Sequence, residues 1–150
     1  MLKRHFLYLL ATVLLTRFAH ADDEGIAAAQ ALFDKYVALE HAYDGAVADL
    51  YADTALIVNK RIYPTGEVRE LTFPADKYKA LVRAAMPLAA TRGDRSTYST
   101  VSYTREGQRV RIKATRFSEL KKYSSPISLL VGPSERGGWL IYEELSVSQP

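Results

Sequence analysis

Residues 43–59 read Y-D-G-A-V-A-D-L-Y-A-D-T-A-L-I-V-N. Asp44 stands where an N-cap belongs, since its carboxylate can accept from amides of a first helical turn. Val47, Leu50 and Tyr51 follow at the i, i+3, i+4 spacing of one buried face. Ala52-Asp53-Thr54 breaks that helix, and Ala55-Leu56-Ile57-Val58 has the aliphatic run of a core strand. A helix delivered straight into a strand sets how helices lie across a sheet. The stretch therefore predicts architecture rather than chemistry.

Upstream, residues 1–21 carry the pattern of a cleaved secretory signal. Lys3, Arg4 and His5 form a basic start, Phe6 to Leu15 is apolar apart from Thr12, and Ala19-His20-Ala21 is an A-x-A cleavage site. The apolar run is too short to span a bilayer. Removing 21 of the 150 residues leaves 129, one domain with length for a full core. It also removes Lys3, Arg4 and Arg17, which takes 20 basic residues to 17 against 17 acidic ones. A near-neutral mature chain gives no electrostatic case for nucleic acid or anionic lipid. With no cysteine, disulfides and a lipid-modified N-terminus are excluded, and a bacterial periplasm fits best.

Downstream, the period distinguishes helices from strands. Ile26, Ala29, Phe33, Tyr36 and Val37 predict a first helix through about residue 42. Lys60 to Val68 is a connection turning at Tyr63-Pro64-Thr65-Gly66, and Glu67 to Thr72 a short strand. Pro74 opens a third helix carrying Tyr78, Leu81, Val82, Ala85 and Met86 on one face, which Met86-Pro87 should end or kink. From Arg95 the period becomes two. Ser96 to Arg105, a Glu106-Gly107 turn and Gln108 to Leu120 read as a hairpin. Its core side pairs Tyr103 with Val110, Val101 with Ile112 and Ser99 with Ala114. Arg116 continues the row of Val110, Ile112 and Ala114, so its guanidinium should point inward unless a bulge intervenes. Ile127 to Val131 and Trp139 to Val147 are the last strands. In the second, Glu143 shares a face with Trp139, Ile141, Leu145 and Val147, which makes it the expected partner of Arg116. Nine basic residues fall between Arg92 and Lys122 against Asp94, Glu106 and Glu119, a pattern that reads first as a solvated sheet face.

Helices followed by a long antiparallel sheet make an α+β pattern. Y-A-D-T-A-L-I-V at 51–58, Tyr36-Val37-Ala38-Leu39 and G-G-W-L-I-Y at 137–142 carry a closer likeness. On these residues the chain resembles the NTF2-like superfamily, the SnoaL or ketosteroid isomerase-like cone fold, as a secreted bacterial member. The resemblance implies three N-terminal helices packed on a curved, mainly antiparallel sheet that encloses a pocket. It spans nearly the whole mature chain and says little about activity, because the family mixes enzymes and non-enzymes.

The resemblance also supplies a site to test. The isomerase's oxyanion tyrosine falls on Tyr36, but its general-base aspartate falls on Asn59, which cannot take a proton at neutral pH. No catalytic residue is assigned. His41, alone among mature histidines, reads as a surface or capping residue. Asp44, Asp49 and Asp53 read as cap and turn residues rather than metal ligands, and no cofactor is implied. Tyr36, Tyr51, Tyr98, Tyr103 and Tyr142 lie on elements that line or flank the implied pocket, although core packing is the simpler role for each. The candidate ligand-binding residues are Tyr36, Tyr51, Asn59, Tyr98, Arg116 and Glu143. The expected function is a periplasmic, non-enzymatic small-molecule-binding or interaction module taking a small apolar or anionic ligand. A homodimer through the sheet face fits as well; nucleic acid and a membrane span do not. The alternative is a small pocket enzyme, an isomerase, dehydratase or cyclase, acting on an apolar substrate.

The signal reading has a direct check. Intact-mass analysis of the protein exported in a Gram-negative host should show a chain beginning near Asp22, and a soluble product retaining residues 1–21 would contradict it.

Overall fold

The computed structural model describes residues 23–149, so the signal segment lies outside the described residues. The first helix, α1, covers 23–41. Ala29, Leu32, Phe33 and Tyr36 are its buried stripe. After it comes a short 3-10 helix, Gly45–Leu50, capped by Asp44, whose side chain accepts from the Ala46 amide at 2.8 Å. The cap is as expected, but the segment is a 3-10 turn that buries Val47, Ala48 and Leu50, not an α-helix. Strand β1, Tyr51–Ile62, begins at once, because Tyr51 already pairs with Ile141. The expected break at Ala52-Asp53-Thr54 is an irregularity inside the strand, between the Tyr51 and Leu56 pairings.

A turn through Gly66, with φ of 85°, leads to β2, Val68–Phe73. Helix α2, Ala75–Arg92, follows Pro74. It passes through Pro87 and stops at Gly93, whose φ of 64° is a left-handed cap. Pro87 faces solvent, as does Arg83, whose carbonyl loses its amide partner, so that carbonyl is left to water on the exposed face of the helix. Tyr78, Val82 and Met86 pack against the core, whereas Leu81 and Ala85 are exposed. Four strands complete the chain: β3 Ser96–Glu106, β4 Arg109–Ser118, β5 Tyr123–Pro133 and β6 Trp139–Ser148.

These strands form one sheet in the order β2-β1-β6-β5-β4-β3. Only β1 and β6 run parallel among the pairs. The sheet curves round α1, and Ile57, Ile112, Leu129 and Ile141 meet the helix stripe in the core. The architecture is α+β, and among the described residues two α-helices and one 3-10 turn stand where three helices were expected.

Two bulges reset which residues face inward. The β3–β4 hairpin turns at Gly107-Gln108, two residues out of the expected register, so Tyr103 sits opposite Ile112. A slip of two keeps each side chain on its face. Further along β3 the pairing jumps between Ser99 and Ser102, with Thr100 at a φ of 50°. That extra residue inverts the alternation, exposes Val101 and turns Tyr98 inward. In β6 the register shifts around Tyr142, between the pairings of Ile141 and Glu143. Ile141 and Glu144 are both buried as a result, and Glu143 and Leu145 go outward. The expected shared face of Ile141, Glu143 and Leu145 is therefore corrected.

Candidate functional site

At one end of the cone, α1, α2 and the strand ends leave a cavity of about 280 Å³. Its charged lining is Glu40, Arg61, Asp94, Arg116 and Lys121. Each position follows from local structure. Glu40 lies one turn beyond Tyr36 on the buried side of α1. Arg61 continues the inward row of Ile57 and Asn59 along β1. Arg116 ends the inward row of β4, as parity predicts, because the hairpin's bulge lies in β3.

Arg116 does not meet Glu143. Its Nη2 donates to the Val147 carbonyl at 3.0 Å. Burial by itself lowers its pKa, but Tyr36, Tyr98 and Glu144 outweigh burial and the net shift is upward. Glu143 lies on the outer face and accepts from Arg111, which also grips Glu106 through two bonds at 3.0 and 3.1 Å. The expected Arg116–Glu143 pair fails because the β6 bulge turns Glu143 away.

The acid that enters the interior is Glu144, only 3% exposed. The Tyr51 hydroxyl donates to it, and the Tyr78 hydroxyl reaches both its oxygens at 3.3 Å. The two rings meet edge to face, with centroids 5.3 Å apart. Burial, and the carboxyl itself, push both phenols well above their ordinary pKa. Tyr51 thus buttresses an internal acid and does not line the cavity.

Tyr36 and Tyr98 form an aromatic group with Phe33, at centroid distances of 5.5 to 6.2 Å. Burial raises the Tyr36 pKa. The Tyr98 hydroxyl donates to Glu40 at 2.5 Å. Burial raises the Glu40 carboxyl as well, partly offset by the Tyr98 bond and the Arg116 charge. Asn59 is tied off: its amide donates to Ser146 at 3.0 Å and its carbonyl accepts from Ser148 at 2.8 Å. His41 is half-buried and donates to the Ser96 carbonyl at 2.7 Å, anchoring the end of α1 to β3. Asp49 pairs with Arg83, and Asp53 with Lys79.

Sequence reasoning missed Glu40, Arg61, Glu144 and Tyr78. Glu40 and Arg61 had a signal, since both continue an apolar row. Glu144 had none, because the bulge that buries it is a backbone feature. A larger groove of about 560 Å³ lies on the outer face and includes Val58, Lys60, Lys113 and Leu145. It lacks a converging set of buried polar groups, so the inner cavity is the candidate site.

Glu40 gives this site a pH signature. With its pKa raised, the folded chain keeps the Glu40 proton to higher pH than the unfolded chain does. Its contribution to stability is full below the ordinary carboxylate range and is lost as pH rises through the raised value. Thermal melts of wild type and Glu40→Gln across mildly acidic to neutral pH should show wild type losing ground as pH climbs. A gap that stays constant would contradict the assignment.

No family model matches the sequence, and no curated protein matches it. Solved structures do. An NTF2-like protein of unknown function from Pseudomonas putida KT2440 superposes with a TM-score of 0.65 at 9% identity, over 84% of this chain and 87% of that one. A proposed dehydratase of the NTF2-like family from Streptomyces avermitilis gives 0.58 at 11% identity, over 84% and 96%. A protein from Catenulispora acidiphila in complex with S-DNPA gives 0.53 at 12% identity, over 81% and 90%. At such identities the likeness carries the architecture and leaves the activity open. With its helices, its sheet order and these neighbours, the chain has the NTF2-like fold.

Proposed function

We propose that this chain is an exported, non-enzymatic small-molecule-binding protein whose ligand occupies the inner cavity. The observation that carries the reading is the convergence of polar side chains from α1 and several strands, with an apolar wall from α2, on one concave site. Arg116 lines that site, while Tyr98 and Asn59 stand behind its lining, bonded to Glu40 and Ser148, and Tyr36 packs against Tyr98. The bound S-DNPA of the Catenulispora acidiphila protein supports the idea that this fold accommodates a ligand. The basic start and A-x-A of residues 1–21 support a periplasmic location. Catalysis by the isomerase route is disfavoured, because Asn59 stands where the base belongs and is held by two serines.

One observation favours a small pocket enzyme instead. Glu40 is a carboxyl of raised pKa, bonded to a phenol, on the cavity wall. That is the environment of a group able to exchange protons.

Thermal-shift screening of the purified protein against small apolar, anionic and neutral polar compounds tests the reading. At least one class should raise the melting temperature by mass action, and Met86→Trp, which fills the cavity from α2, should abolish the rise. No stabilising compound, or a rise that survives Met86→Trp, would contradict it. Turnover of an enolisable ketone that disappears in Glu40→Gln would select the enzyme.

A further inference from the structure

Resting on the reading that the inner cavity is a ligand site, we propose that its ligand is a small monocarboxylate, held by Arg61 and Arg116. The groups lining the cavity divide into those with partners and those without. Glu40 is occupied by Tyr98, and the Lys121 ammonium by the Gln149 carbonyl at 3.1 Å. Arg61 is different. It is half-buried, its Nε is shielded from solvent, and that atom meets no hydrogen-bond partner among the described residues. The side chain lines the cavity and has no acid at ion-pair distance among the described residues, so a fork of five donors and no acceptor is open to an acceptor in that space.

A second group points the same way. Arg116 spends one nitrogen on the Val147 carbonyl and has no acid at ion-pair distance among the described residues. Val147 precedes Ser148, the cross-strand partner of Arg61, and both guanidinium groups line the same cavity. Two forks without a direct ion-pair partner are a donor set for a planar oxyanion.

Charge and size select the class. Arg61, Arg116 and Lys121 face Glu40 and Asp94, which leaves a surplus of one positive charge, matched by a monoanion and exceeded by a phosphate dianion. A space of about 280 Å³ sits at the small end of ligand sites. Met86 and Ala89 of α2 supply an apolar wall for the remainder of the molecule.

Isothermal titration at neutral pH with benzoate, benzamide, benzylamine and inorganic phosphate tests the assignment. Benzoate should bind, and benzamide, of the same shape without the charge, should bind at least about tenfold more weakly. Arg61→Met should lose at least about tenfold in benzoate affinity while melting no lower than wild type, since the stranded donor goes with the side chain. Arg61 is the variant of choice because Arg116 also holds the end of β6. Equal binding of benzamide, undiminished benzoate binding by Arg61→Met, or Arg61-dependent phosphate binding tighter than benzoate would overturn the carboxylate assignment. A neutral or apolar ligand that binds without Arg61 and is blocked by Met86→Trp would overturn it and leave the cavity as the ligand site. Failure of every compound, in this titration and in the wider screen, would overturn both.

Discussion

One irregular step in β6 governs the interior of this protein. Around Tyr142 the strand slips against its neighbours, so Ile141 and Glu144 both face the core although three positions separate them. Everything that follows in β6 inherits that phase. Ser146 and Ser148 turn inward and clamp Asn59. The Val147 carbonyl comes within reach of Arg116. Glu143 goes outward to Arg111. Without the slip, Glu143 would take the interior position that Glu144 holds.

A buried carboxyl is tolerated only where donors surround it. Glu144 has two, the hydroxyls of Tyr51 and Tyr78, delivered by β1 and α2. The contact therefore joins three elements that are far apart in the chain. Glu40 is served by Tyr98 in the same manner. Against this background Arg61 Nε and Ser125 Oγ are buried polar atoms without a hydrogen-bond partner among the described residues. Each costs about 1–3 kcal/mol if left dry.

Much of the architecture was legible from the residues. The stripe of Ala29, Phe33 and Tyr36 specified α1, Asp44 marked the cap of the 3-10 turn, and the resemblance around Y-A-D-T-A-L-I-V pointed to the fold that the neighbours share. Strand parity placed Arg116 inside. The same parity failed in β6 and beyond Thr100 in β3, because a bulge is a property of backbone pairing and leaves no mark in an alternation of side chains. Pro87 failed as a stop signal because its ring faces solvent, and Gly93 provided the cap instead. The cavity lining was legible only in part. Strand parity placed Arg116 on it, and Tyr98 stands behind it through Glu40, whereas Glu40 and Arg61 were passed over as ordinary charges on otherwise apolar rows.

The inward phase of β6 is tested most directly by a double-mutant cycle in urea on Tyr51→Phe and Glu144→Ala. Partners in a buried hydrogen bond are expected to couple by about 0.5–3 kcal/mol. Additive losses would show that Glu144 does not hold Tyr51, and the interior described for this chain would then be wrong at its centre.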